Sequence, residues 1–171
     1  IRFIFSKPIV FSTMLMDFIA TFFASANTMM PIVAKDILKV SEIGYGWLSS
    51  AQAIGSVAAG VVVSQVQKLG KQGPIFLIAI VIFGSATVLF GATSTFAIAM
   101  LALILMGAAD AVNTIIRNTI RQLNTPDHIR GRMTSVNQIF FQGGPQLGEV
   151  ESGLVASLFG VPAAIISGGI G

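Results

Sequence analysis

The chain has 171 residues and a formal net charge of +3; 54% of its residues are hydrophobic, 10% are charged, and its mean hydropathy is +0.85. A water-soluble domain of this length needs far more polar surface, so the composition excludes that class and predicts a membrane protein. The lack of cysteine and the single histidine exclude a disulfide framework, a thiol nucleophile and a metal cluster built from these residues.

Apolar stretches predict five membrane spans and the beginning of a sixth. No charged residue lies between Lys71 and Asp110, a gap long enough for two spans of about 20 residues each. The predicted spans cover about residues 8–34, 44–66, 74–91, 96–120 and 133–159, with a partial span over 161–171. We therefore predict an all-α polytopic membrane protein with residues 1–171 in one transmembrane domain. Since the chain begins at Ile1 and its last apolar segment is too short to span, we expect it to be a fragment.

Basic residues are distributed unequally between the two sides of these spans. If the spans alternate in direction, only Lys35 and Lys39 of the ten Lys and Arg residues fall on one side. Cytoplasmic loops carry an excess of Lys and Arg, so the other side is predicted to face the cytoplasm. Its basic residues are Arg2, Lys7, Lys68, Lys71, Arg117, Arg121, Arg130 and Arg132.

Four of the seven acidic residues, Asp17, Asp110, Glu149 and Glu151, lie within the predicted spans. A carboxylate at bilayer depth costs several kcal/mol, so such residues usually face a bundle interior or a watery cavity. Glu149 and Glu151 are about 200° apart around a helix and cannot share a face. Asp17, Asp110 and Glu149 each lie on a polar stripe of a different span, whereas Glu151 points elsewhere.

Other polar residues in the fourth and fifth spans share these stripes at helical spacing. Asn113 follows Asp110 by three residues, and Gln142, Gln146 and Glu149 are four and three residues apart. Three spans with one polar stripe each are typical of helices that line a cavity. The alternative is that these amides only bond neighbouring helices.

Two further features lie near these stripes. Arg117 and Arg121 are weaker site candidates. Arg117 is about 30 Å along its helix from Phe96, at the cytoplasmic interface, and we interpret it as a snorkelling side chain. The run 143–145, Gly-Gly-Pro, is expected to break or kink the fifth span near mid-depth. Broken helices at that depth are where transporters place substrate and ion sites.

Residues 125–132, TPDHIRGR, and residues 143–149, GGPQLGE, carry a family resemblance. They resemble the region from the tenth to the eleventh helix of major facilitator superfamily exporters, most nearly the branch with the enterobactin exporter and related drug-efflux proteins. The resemblance implies helices seven to eleven and the start of twelve of a twelve-helix transporter in the bacterial inner membrane. It also implies alternating access, typically driven by proton antiport, and a substrate cavity shared with an N-terminal six-helix half.

We therefore expect a secondary active exporter of small amphipathic molecules, of the siderophore or drug class, that uses no cofactor, metal or nucleic acid. A desolvated carboxyl is driven toward its protonated form, which suits proton exchange. The proton-coupling candidates are Asp17, Asp110 and Glu149; the cavity candidates are Asn113, Gln142 and Gln146; and the cytoplasmic loop is Arg130, Gly131 and Arg132. The alternative is a non-transporting membrane scaffold. No Ser/His/Asp or Cys/His set supports an enzyme.

Overall fold

The computed structural model describes residues 11–12, 14–15, 18–19, 21–22, 29–65, 72–127 and 130–170. Throughout this part of the chain the regular structure is helical, without a strand. The described residues from 11 to 22 are helical and are called the N-terminal segment below. The later elements are α1 (Met30–Ile32) with a π-helical turn (Val33–Ile37), α2 (Glu42–Gln65), α3 (Gln72–Ala92), α4 (Phe96–Asn124), α5 (Arg130–Phe159) and α6 (Val161–Ile170).

Three of the described helices are long and apolar enough to cross a membrane: Glu42–Gln65, Gly73–Ala92 and Phe96–Asn124. Helix α5 has 30 residues but is more polar, since its middle carries the glutamines and glutamates of the fifth predicted span. The all-α membrane class is therefore confirmed. The division into the predicted spans and into one transmembrane domain stays a prediction.

Helix α4 lies at the centre of the packing. It packs against α2 and α3, while α6 packs against α3 and α5. Its apolar buried face consists of Ala99, Ala102, Leu103 and Met106, all without exposed surface. The spacing of three and four residues puts them on one side of the helix, against a core that includes Leu48 of α2 and Phe90 of α3. Because lipid is as apolar as these side chains, close packing holds the helices together.

Backbones of α2 and α4 come into direct contact where Gly55 and Gly107 face the opposite helix. A Cβ on Gly55 would overlap the carbonyl oxygen of Ile104, and a Cβ on Gly107 would overlap that of Gln52. At the same crossing the Ser56 hydroxyl donates to the Gly107 carbonyl oxygen at 3.0 Å. The small residues of the second predicted span thus allow the close approach that glycine-based crossings give in membranes.

The break expected at residues 143–145 is not observed, because α5 continues through Pro145 to Phe159. Proline removes one backbone donor, which a long helix tolerates when its neighbours supply packing. A Cβ on Gly144 would overlap the Thr21 hydroxyl and lie 3.0 Å from the Phe18 carbonyl oxygen. The Phe18 and Phe140 rings meet edge to face, with centroids 6.4 Å apart. Gly144 therefore allows close approach of the N-terminal segment to an unbroken helix.

The link between α1 and α2 contains unusual backbone. The π-helical turn is a geometry found often at functional sites, and Lys39 has a φ of +50°. A side chain in the left-handed region costs about 1–2 kcal/mol relative to the right-handed one. This link is a strained connection between the N-terminal part of the chain and α2.

Candidate functional site

The buried face of α4 changes from apolar to polar along the helix. Asn113 follows Met106 by seven residues, and Arg117 and Arg121 follow at steps of four, so all three extend the face that forms the core. Asn113 is 7% exposed, Arg117 is 4% exposed and Arg121 is 8% exposed. The helix thus begins as a packing element and ends as a line of buried polar groups.

Side chains on α4 and α5 hold the two guanidinium groups. Arg117 Nη2 donates to Thr114 Oγ1 at 3.3 Å. Arg121 Nη2 donates to Asn118 Oδ1 at 2.7 Å, and its Nη1 donates to Asn137 Oδ1 of α5. The Arg121 bond to Asn137 ties α4 to α5 and gives the buried charge polar partners from two helices.

The snorkelling interpretation of Arg117 is therefore wrong. It rested on distance along the helix axis, which gives depth but not the direction of a side chain. The seven-residue spacing from Met106 was the available signal, because it puts Arg117 and Arg121 on the core side. A buried charge needs bonded partners, and Asn137, sixteen residues later in the chain, is one that spacing within α4 cannot show.

The Oδ1 atom of Asn113, on the same face, is buried and has no hydrogen-bond partner among the described residues. Buried polar atoms are nearly always hydrogen-bonded, and leaving one unbonded costs about 1–3 kcal/mol. The next turn toward the start of α4 carries Asp110, which is exposed. Asn113 therefore presents an acceptor that a donor from outside the described residues can satisfy.

The remaining predicted site residues lie as follows. Gln142, Gln146 and Glu149 are exposed on α5, and Asp17 lies outside the described residues. Asp110 and Asn113 are brought together on adjacent turns of α4. The roles assigned to these residues in proton coupling and in a cavity stay predictions.

Arg130, Gly131 and Arg132, predicted to form a loop, instead make up the first turn of α5, where Gly131 and Arg132 are exposed. Their cytoplasmic location stays a prediction. Beside this turn, a pocket of about 210 Å³ lies between the end of α4 and the start of α5. Its lining is Asn118, Arg121, Gln122, Thr125, Met133, Thr134 and Asn137. No group of three or more metal-ligating side chains occurs in the described ranges.

The sequence of the chain was compared with those of known protein families. A major facilitator family model described as "transmembrane secretion effector" matches residues 1–171. No curated protein and no solved structure was found to match the chain. The family match covers the polar face of α4, the loop and α5 together.

Proposed function

The chain belongs to the transmembrane secretion effector family of the major facilitator superfamily, and from this premise we propose that it is the C-terminal six-helix half of a proton-coupled exporter. Membership supports a membrane transporter in general. The C-terminal position is supported by the resemblance of residues 125–132 and 143–149 to the region of the tenth and eleventh helices of such exporters. The proposed substrates are small amphipathic molecules of the siderophore or drug class, and the membrane is the bacterial inner membrane.

The observation that carries this proposal is the buried Oδ1 atom of Asn113. An amide that only holds helices together uses its acceptor within the protein, as Asn137 of α5 does with Arg121 of α4. Asn113 Oδ1 accepts no hydrogen bond from the described residues, although only 7% of the residue is exposed. A passing substrate or water with a donor group satisfies it, and Asp110 lies one turn away.

Proton coupling is assigned to Asp17, Asp110 and Glu149. A coupling carboxyl has to meet water to exchange its proton and then be enclosed while neutral, since a charged carboxylate at bilayer depth is costly. Asp110 and Glu149 are exposed on this chain, on helices α4 and α5. We propose that the N-terminal half covers them in one state of the transport cycle and leaves them open to water in the other.

The test uses the full-length protein in proteoliposomes with an imposed pH gradient. Asp17→Asn, Asp110→Asn and Glu149→Gln are expected to reduce gradient-driven export. A variant that has lost only proton coupling is expected to keep exchanging substrate across the membrane when no pH gradient is imposed. Glu151→Gln is the matched control, because Glu151 is two residues from Glu149 and its Oε2 atom is 3.5 Å from Ser152 Oγ. If all three variants export like the unmodified protein, the coupling assignment is wrong.

The scaffold alternative is favoured by the polar groups that bond within the chain. Ser56 bonds Gly107 across the α2–α4 crossing, and Arg121 bonds Asn137 across α4 and α5. A scaffold predicts that substituting any buried polar residue lowers stability and that no substrate moves. The transporter instead predicts that substituting Asn113 affects export more than stability. The two functions are therefore distinguished by measuring both quantities on the same variant.

A further inference from the structure

The pocket between the end of α4 and the start of α5 is distinct from the proposed transport path. Its volume of about 210 Å³ is room for roughly seven water molecules at about 30 Å³ each. Drug-sized ligands take pockets of about 300–1,000 Å³, so this pocket is too small to be the substrate cavity. It suits one compact polar group.

Its lining is polar and carries a single charge, that of Arg121. Five other lining residues have amide or hydroxyl groups, and none of the seven has a carboxylate. Arg121 is only 8% exposed, and its guanidinium group is oriented by hydrogen bonds to Asn118 and Asn137. Among the residues that line the pocket, Arg121 is therefore the one that brings a charge, and that charge is positive. Such an arrangement matches the oxygens of a phosphate better than a cationic or apolar group.

The depth of the pocket indicates where the phosphate comes from. Helix α4 has 29 residues and is therefore about 43 Å long, whereas the hydrocarbon core of a bilayer is about 30 Å thick. Arg121 lies about 38 Å from the beginning of α4, so a hydrocarbon core that starts at that beginning leaves Arg121 beyond it, among the headgroups. The charge bias of the sequence assigns this side to the cytoplasm, where basic pockets between membrane helices bind anionic headgroups.

We propose that this pocket binds a phosphate group, that of an anionic phospholipid headgroup, through Arg121. Gln122 and Thr134, which are exposed at the pocket, add polar contacts from α4 and α5. The bound headgroup bridges the end of α4 and the start of α5, the two elements that the Arg121–Asn137 bond already joins. This site is independent of whether the chain transports protons.

The test measures lipid retained by the purified full-length protein in native mass spectrometry, after exchange into phosphatidylglycerol or phosphatidylcholine. The unmodified protein is expected to retain phosphatidylglycerol in preference, because choline puts a cation next to Arg121. Gln122→Glu adds a negative charge at an exposed position without removing a bond of Arg121. Repulsion between this charge and the phosphate is expected to lower phosphatidylglycerol retention about tenfold, which corresponds to about 1.4 kcal/mol. Arg121→Gln is expected to do the same.

Arg132→Gln is the matched control, since Arg132 is exposed, basic and near the pocket but does not line it. It is expected to retain phosphatidylglycerol like the unmodified protein. Equal loss in Arg132→Gln and Gln122→Glu would mean diffuse attraction of anionic lipid and would overturn the site. Retention unchanged in Gln122→Glu, or equal for both lipids, would overturn it as well. A final arm adds inorganic phosphate: displacement of the lipid assigns the site to soluble phosphate, and resistance assigns it to the headgroup.

Discussion

Replacing Asn113 and Asn137 separately by leucine makes the same chemical change with two different expected results. Asn137 accepts a hydrogen bond from the buried guanidinium of Arg121. Hydrogen bonds to charged groups are worth about 1.5–3 kcal/mol, and measured bonds between membrane helices do not exceed about 1.7 kcal/mol. We therefore expect Asn137→Leu to lower the free energy of unfolding by about 1.5–1.7 kcal/mol.

Asn113→Leu removes no acceptor bond of the described residues, because Asn113 Oδ1 makes none. Removing an unbonded buried acceptor recovers up to about 1–3 kcal/mol, and the larger side chain offsets this by about 1–3 kcal/mol of overpacking. The net change in the free energy of unfolding is expected to lie near zero. The free energies of unfolding of the two leucine variants should therefore differ by about 1.5 kcal/mol.

The free energy of unfolding is measured on the full-length protein in mixed micelles by denaturant titration, and export is measured on the same variants in proteoliposomes. Asn113→Leu is expected to lose export while its stability is maintained, whereas Asn137→Leu loses stability. If Asn113→Leu is destabilised as much as Asn137→Leu, then Asn113 is a structural residue. The proposal that it faces the substrate would then be refuted.

Three further predictions concern backbone positions, each checked by the same unfolding titration. Gly55→Ala is expected to lower the free energy of unfolding by about 1–3 kcal/mol or more, because its Cβ would overlap the backbone of α4. In the control Gly60→Ala the new Cβ would have nothing within 4 Å, so the effect should be neutral or stabilising by up to about 1 kcal/mol. Gly144→Ala is expected to destabilise by a similar amount to Gly55→Ala, because its Cβ would overlap the N-terminal segment. Gly143→Ala, whose Cβ would have nothing within 4 Å, should leave stability unchanged. Equal effects of the two substitutions would refute this packing. Lys39→Gly relieves a φ of +50° and should stabilise by up to about 1 kcal/mol, and a loss of stability would show that the turn is not strained.

The membrane class could be predicted from the sequence because charged side chains are so costly in lipid that membrane spans are nearly free of them. The uncharged stretch between Lys71 and Asp110 contains the whole of α3 and the first half of α4, so hydropathy alone predicts two apolar helices there. The sequence also predicts that Asn113 and Asp110 lie on one side of the same helix, because they are three residues apart. Local periodicity is enough for such features.

Features that depend on a second helix could not be read in the same way. The burial of Arg121 depends on Asn137, and the continuity of α5 through Pro145 depends on packing beside it. The sequence of residues 143–145, Gly-Gly-Pro, is compatible with a broken or a continuous helix. The positions of Phe18 and Thr21 show that Gly144 allows close approach. The proposed coupling residue Asp17 lies outside the described residues, so its relation to Asp110 stays a prediction.

The crossing at Gly55 and Gly107 also limits how this half can move. Each glycine faces a carbonyl of the other helix, so sliding by one residue would bring a side chain such as Met106 or Ala108 against the backbone of α2. Two helices in such contact have one register, and they rotate and tilt only as a single body. Any transport motion must therefore be taken up elsewhere, and the strained link at Lys39 adjoins this rigid pair. Gly55 and Gly107 thus keep α2 and α4 in one fixed register.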